Sequence, residues 1–461
     1  MKKTMCMASL LLAAGLARAE TYFLKANTQI DGSDPVQISL TNAVGTEFTV
    51  TRTGDGSEGD PWTFDFSALN PAATIVDMLG HRLYCARDGD GPRAHISLKL
   101  NDADLVGTNA ESMNLYWREN VYSDHLVIAD AGAIAIGGID ARGTGVASGD
   151  GGLSIAISAE SAPVGHVRVG YLFSFGVGSS SNTRMSGGHA TIYGNGHVRI
   201  ANATGEPGDI LAYGVRNVGR GGHVTVVHRG DFLVGNIDTH TPSSYGGSSR
   251  GPGNIELDGG DASGDALVAG DLRTSQERFR DWPRQYIRIG NYRNVTILGD
   301  IVGYSQRDNS DGSGTDVIMT NNIANIRIGG DIDLELRVEG RQHQSGRLKL
   351  AAMESITLAE LDVGKVEFAS LSSGGGRSTI DGDLLNFDAD GSGSGTLNNP
   401  VVTTQTALRA PAGQRLLYKV RDGANTDLEG KVYRIANEDG QAGQGGLLMP
   451  IPTRGTIIGF F

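Results

Sequence analysis

The sequence predicts an all-β fold: a β-solenoid closed by a β cap at each end. Three observations predict it. One short phrase keeps returning, an aliphatic triplet followed by Gly, a polar residue and another aliphatic. Gly makes up 68 of 461 residues and is spread between apolar triplets, as tight turns between short strands require. No window sustains the three-and-four spacing of an amphipathic helix without a Gly interrupting it.

The phrase reads Ile134-Ala135-Ile136-Gly137-Gly138-Ile139, then Phe232-Leu233-Val234-Gly235-Asn236-Ile237. It returns as Val295-Thr296-Ile297-Leu298-Gly299-Asp300-Ile301, as Ile326-Arg327-Ile328-Gly329-Gly330-Asp331-Ile332 and as Ile356-Thr357-Leu358-Ala359-Glu360-Leu361. Gly270, Gly299 and Gly330 lie 29 and 31 residues apart, and Ala359 follows 29 later. A repeat of that length, built of short strands and turns, is the size of one coil of a β-helix. Stacked coils turn such a repeat into aliphatic ladders. Ile297, Ile328 and Leu358 are expected to form one, and Ile301, Ile332 and Leu361 the next. Asp300 and Asp331 are expected to stack along the outer edge. The longer interval from Gly137 to Gly235 has room for about three less regular coils.

The elements follow in chain order. Residues 1–19 read as a secretory signal peptide: Lys2 and Lys3, an apolar run from Met5 to Leu16, then Ala17-Arg18-Ala19 as a small-residue cleavage site. The mature chain is then expected to begin at Glu20. Residues 20–86 alternate at period two, as in Val36-Gln37-Ile38-Ser39-Leu40 and Trp62-Thr63-Phe64-Asp65-Phe66, without the repeat phrase. They are expected to be an N-terminal β cap over an otherwise open strand edge. Residues 87–399 are expected to be the solenoid, interrupted by loops at 241–253, 274–285 and 306–316. Residues 400–461 change character, with short apolar runs such as Leu416–Val420 and Lys431–Ile435, and are expected to be a C-terminal β cap. The chain ends in Phe460-Phe461, but this tail cannot supply the eight or so strands of about ten residues that an outer-membrane barrel needs.

Charge and cysteine narrow the function. The formal net charge is −13, and loss of Lys2, Lys3 and Arg18 with the signal would leave 36 basic residues against 52 acidic. Such a balance argues against nucleic acid as a partner. No run of about 18 apolar residues predicts a transmembrane helix. Cys85 would be the single cysteine of the mature chain, so no internal disulfide is expected. Its strand-like surroundings suit a small core residue better than a nucleophile.

Four residue groups carry candidate chemistry. Arg278, Arg280, Trp282 and Arg284 sit in one loop, where an aromatic ring could stack on a sugar and arginines could pair with acidic groups. The plain alternative is a loop packing Trp282 on its own coil. Asp388, Asp390 and Ser392 begin like a Ca²⁺ loop, with oxygens at alternate positions before glycines. The plain alternative there is an Asx turn. His166, His189, His197 and His223 each follow a Gly and precede an aliphatic residue. A metal would need imidazoles that converge, whereas the plain alternative seats each His on the solvent side of a turn-to-strand junction. Scattered Asp and Glu leave paired-carboxylate chemistry open.

The glycine-led strands from Gly222-His223-Val224-Thr225-Val226, through Asp231 to Thr239, to Gly253-Asn254-Ile255-Glu256-Leu257 carry a resemblance. They resemble secreted bacterial adhesins of the filamentous-haemagglutinin type and autotransporter passenger domains. The likeness covers roughly residues 125–390. It implies a right-handed parallel β-helix with a place outside the cell or on its surface, the periplasm being the nearer alternative. The expected function is a structural or adhesin-like protein without catalytic activity, with polysaccharide or a cell-surface glycan as ligand and Ca²⁺ as the one candidate cofactor. The alternative is a β-helix polysaccharide lyase or glycoside hydrolase. Converging carboxylates on one face would favour the enzyme. A smooth face of stacked Asn, Asp and Thr would favour the scaffold.

Overall fold

A computed structural model describes residues 20–32, 35–69, 74–85, 95–107, 111–115, 125–143, 152–175, 186–214, 220–241, 251–277, 285–303, 305–306, 315–334, 336–337 and 347–353. Beyond these it describes strands between 355 and 450 by their backbone pairing. The described chain is a parallel β-solenoid. Three sheets run its length: sheet 1 of 14 strands, sheet 2 of 13 and sheet 3 of 12. Each coil contributes one strand to each. In one coil Ile255–Asp258 lies in sheet 3, Asp265–Val268 in sheet 1 and Leu272–Arg273 in sheet 2. The next repeats the order with Tyr286–Gly290, Asn294–Ile297 and Ile301–Val302.

Alternation along each strand places the core. Strands point successive side chains to opposite faces, and here every second residue enters the solenoid. In sheet 3, Ile96, Leu126, Ile155, Ala190, Val224, Ile255, Ile287, Val317 and Leu348 stack in register. In sheet 1, Leu105, Ile134, Val167, Val198, Phe232, Ala266, Val295 and Ile326 do the same. All of these are buried in one continuous cluster from Tyr22 to Ala352. Phe232 faces the smallest side chain of its ladder, Ala266, so excess volume in one coil is offset by a deficit in the next. The expected ladders are present: Ile297 pairs with Ile328, and Ile301 with Ile332, which in turn pairs with Leu361. Leu358 continues the first in register, one residue past the Thr357–Arg327 pair. Cys85 is buried as expected, and burial raises its thiol pKa well above the ordinary value.

Two of the three corners of a coil recur in form. Between sheet 3 and sheet 1 the chain passes through left-handed residues: Asn101 (φ 48°), Asp130 (φ 51°), Asn291 (φ 58°) and Asn322 (φ 48°). Asn and Asp tolerate this region because their short side chains bond locally. Asn322 Nδ2 donates to Asn291 Oδ1 at 2.9 Å, and Asn291 Nδ2 to Asp258 Oδ1 at 2.9 Å, so these corners also stack. The recurring phrase spans the corner from sheet 1 to sheet 2. Its aliphatic triplet is the sheet 1 strand, its Gly-Asp the turn, and its last aliphatic opens sheet 2.

The parallel ladders cross both boundaries expected from sequence. Thr21–Leu24 already pairs parallel with Ile75–Asp77, Trp62–Asp65 with Ile96–Lys99, and Leu83–Cys85 with Ser112–Leu115. The strands Trp62–Asp65, Ile75–Asp77 and Leu83–Cys85 therefore belong to one coil, although their sequence lacks the phrase. The antiparallel element of this region is the hairpin Gln37–Asn42 and Glu47–Thr51, laid on Thr21–Leu24 at the end of sheet 1. At the other end, Val402–Thr404 and Tyr418–Arg421 extend sheets 3 and 2 in parallel, and Tyr433–Asn437 forms a hairpin with Gly446–Pro450. A further short parallel ladder joins Gln276–Glu277, Ser305–Gln306 and Leu336–Arg337; its first strand lies in the expected loop 274–285 and its second ends where the expected loop 306–316 begins.

Candidate functional site

Arg278, Arg280, Trp282 and Arg284 lie outside the described residues, as do Asp390 and Ser392. Asp388 ends the strand Leu385–Asp388, of which only the backbone is described. The features that can be built from side chains are three polar columns and one aromatic stack.

The first column follows the Gly-Asp phrase. At the residue just before four of the sheet 2 strands the backbone N–H faces the preceding coil, and a side chain there accepts it. Asp209 Oδ1 accepts from Asn236 N at 2.8 Å, and Asn236 Oδ1 from Asp271 N at 2.7 Å. Asp271 Oδ1 accepts from Asp300 N, and Asp300 Oδ1 from Asp331 N, both at 2.8 Å. The glycine of the phrase has the same cause. A Cβ on Gly270, Gly299 or Gly330 would overlap the Oδ1 of Asn236, Asp271 or Asp300 respectively. Gly admits the acceptor of the coil before, and Asp supplies the acceptor for the coil after.

The histidines form two columns, not one. His166 and His197, 31 residues apart, stand at the start of sheet 1 strands with ring centroids 5.3 Å apart and planes 17° from parallel. His189 and His223, 34 apart, precede sheet 3 strands, with centroids 4.9 Å apart and planes 1° from parallel. Each imidazole does what the aspartates do. His166 Nδ1 accepts from His197 N at 3.0 Å, and His197 Nδ1 from Asp231 N at 2.8 Å. His189 Nδ1 accepts from His223 N, and His223 Nδ1 from Asn254 N, both at 2.9 Å. An imidazole that accepts at Nδ1 is neutral and carries its proton on Nε2. Parallel rings at this separation cannot direct two lone pairs at one ion, and among the described residues no three His, Cys, Asp or Glu side chains converge on a metal position. The columns are caps on the backbone. Burial, foremost, and the Arg220 charge hold the His223 pKa below its ordinary value.

The aromatic stack lies just beyond the sheet 2 strands and carries no signal in the repeat phrase. Phe175 stacks on Tyr213 (4.4 Å, 17°), and Tyr213 on His240 (4.9 Å, 25°). Tyr171 stacks on Phe173 (4.5 Å, 27°). Arg142 closes one end, 5.8 Å from the Phe173 ring and 5.6 Å from Phe175, while clamping Asp140 through two bonds of 2.7 and 2.6 Å. At the other end His240 Nδ1 lies 2.6 Å from Asp238 Oδ1. Burial, foremost, then the Asp238 charge raise the Tyr213 pKa, and Arg142 opposes them. Neighbouring planar groups cover one another's faces here, so the stack serves chiefly to tie four coils together.

The class these features define is a parallel β-solenoid whose turns are capped coil by coil with side-chain acceptors. No family model matches the chain, and no curated protein matches it. Among solved structures, the Haemophilus influenzae Hap adhesin aligns over 93% of this chain and 71% of its own at 11% identity, with a TM-score of 0.13. At that score the likeness carries no argument.

Proposed function

We propose that the protein is an exported, non-catalytic β-solenoid that acts outside the cell or on its surface as a structural or adhesive element, with carbohydrate as its ligand. The observation that supports this reading is the employment of the surface acids. Asp209, Asp271 and Asp300 each spend an oxygen on the backbone N–H of the next coil. A glycosidase needs two carboxyl groups facing a bond across open space, one of them free to give up and regain a proton. A column of carboxylates committed to neighbouring coils suits a scaffold.

The test is incubation of the mature protein with neutral and acidic polysaccharides, with and without Ca²⁺, measuring binding and new chain ends in parallel. Binding without new ends is expected. Turnover on any of them would replace this reading with the polysaccharide lyase or hydrolase. N-terminal sequencing of the exported protein is expected to give Glu20 first, and an uncleaved N-terminus would overturn the signal-peptide part of the reading.

A further inference from the structure

We propose that the outer face of sheet 1 between its His166–Val169 and Val198–Ile200 strands is a subsite for the carboxylate or sulfate groups of an acidic polysaccharide. The inference rests on the glycan-binding reading above and names the class of glycan.

The two strands pair in parallel with Arg168 opposite Arg199 and Val167 opposite Val198. Val167, Val169, Val198 and Ile200 are buried, so alternation turns His166, Arg168, His197 and Arg199 outward. Neighbouring strands stand about 4.8 Å apart, and the four side chains make a two-by-two array with an arginine row and a histidine row. Like charges directly opposite in a sheet are unfavourable, and this pair sits in a protein of net charge −13. On the side of Arg168 the sheet continues with Ala135, which is small and neutral. On the other side Arg199 lies 4.0 Å from Asp231 Oδ2, and that carboxylate also lies 3.4 Å from His197 Nδ1. That carboxylate is within ion-pair reach of Arg199, while the ladder neighbours of Arg168 are Ala135 and Arg199 itself. An oxyanion lying across the arginine row would meet both arginines, in the planar geometry that guanidinium favours.

The histidine row adds donors without adding charge. Both Nδ1 atoms accept backbone N–H groups, from His197 at 3.0 Å and from Asp231 at 2.8 Å. That fixes the proton of each ring on Nε2. His166 is exposed and His197 half-exposed, so their Nε2–H groups can meet an acceptor. Two charged forks and two neutral donors on one flat face suit anionic groups spaced along an extended chain. Nucleic-acid binding draws on many phosphates at once, and two paired arginines do not make a footprint of that size.

The experiment uses the mature protein and measures its binding to polygalacturonate, to dextran sulfate, to neutral dextran and to a DNA duplex, at low and at physiological salt. Wild type is compared with Arg168→Gln/Arg199→Gln and with Arg327→Gln, an exposed arginine further along the outer face of the same sheet. Acidic polysaccharide is expected to bind wild type and Arg327→Gln alike, and the double variant at least tenfold more weakly, with circular dichroism unchanged. Preference between polygalacturonate and dextran sulfate identifies the anionic group. Equal binding by the double variant would overturn the site. Binding of neutral dextran alone would overturn this inference and leave the glycan reading standing. Binding of no polysaccharide would overturn both, and preference for DNA would replace them with a nucleic-acid partner.

Discussion

Replacing Tyr292 by Phe removes one oxygen from the interior of the solenoid and tests a bond that spans two coils. The Tyr292 hydroxyl donates to His228 Nε2 at 2.9 Å, with Tyr292 0% and His228 1% exposed. The direction of the bond follows from the other nitrogen: His228 Nδ1 lies 3.1 Å from the Arg229 carbonyl and 3.3 Å from that of Gly196, so it carries the proton. The partners are 64 residues apart, and the coil between them leaves space through Gly259, where a Cβ would stand 2.8 Å from the Tyr292 ring. In Tyr292→Phe the ring still fills its site, so no cavity term arises, but a buried acceptor loses its partner at a cost of about 1–3 kcal/mol. Long repeat arrays unfold with broken cooperativity, so a global midpoint is a poor measure. Amide hydrogen exchange in the strands Val224–Val227 and Ile255–Asp258 reads the loss locally. Exchange by global or sub-global opening is expected to accelerate about 5- to 150-fold there, with little change in the coils before Asp140. Adding His228→Leu, which removes the orphaned acceptor too, is expected to restore part of the loss. Unchanged exchange in Tyr292→Phe, or a double variant worse than the sum of its singles, would refute the reasoning.

Three further predictions follow from the capped coils. Burial, foremost, and then Arg220 hold the His223 pKa below 6.5, and burial foremost does the same for His228. The unfolded chain therefore binds more protons, and the stability these groups contribute is complete above about pH 6.5 and lost as pH falls below it. Exchange across Val224–Asn254, corrected for intrinsic chemistry, is expected to be faster at pH 5.5 than at pH 7.5. His223→Asn, which keeps an acceptor but does not titrate, is expected to flatten that slope, and a slope of the opposite sign would refute it. Asp300→Ala removes the side-chain acceptor of the Asp331 N–H and is expected to cost about 1 kcal/mol, whereas Asp300→Asn keeps the bond and costs little; amide exchange in the strands Ile301–Val302 and Ile332–Asp333 of both variants decides, and equal losses would count against the cap. Gly222→Ala would drive a Cβ into the Gly188 carbonyl of the coil before and is expected to destabilise by at least about 2 kcal/mol, read by proteolysis at the coils around it.

Much of the fold is legible in the sequence, for one reason. Where coils have nearly equal lengths, as between Gly270 and Gly330, the same corner recurs at a fixed step and the ladders Ile297–Ile328 and Ile301–Ile332 can be read directly. Legibility fails where coil length varies. The four Gly-His phrases resist a single period because they belong to two sheets whose strands interleave along the chain. The pairs at 31 and 34 residues emerge once the sheets are separated, and their solvent-side, strand-leading position is the plain alternative anticipated for them. The stack of Phe175, Tyr213 and His240 leaves only the alternation of Tyr171, Phe173 and Phe175 as a trace, since the loops between its members differ in length. The coil strands Trp62–Asp65, Ile75–Asp77 and Leu83–Cys85 pass for a cap because the corner between the last two uses Met78-Leu79-Gly80 in place of the Gly-Asp phrase, and pairing there depends on strands far away in sequence.

The side-chain caps of the three columns all point one way. Ser154, His166, His189, Asp231, Asp271 and Asp300 each accept from the coil that follows them in the chain. A finished coil therefore presents a row of ready side-chain acceptors to chain not yet placed, beside backbone N–H groups such as those of Ile155, Val224 and Leu272 that its carbonyls then satisfy. Order can spread from N-terminal to C-terminal one coil at a time, each surface templating the next. It also makes the coil the natural unit of insertion and loss. Excising residues 271–299 would bring Asp300 N to Asn236 Oδ1, and the grammar of the column would survive the cut.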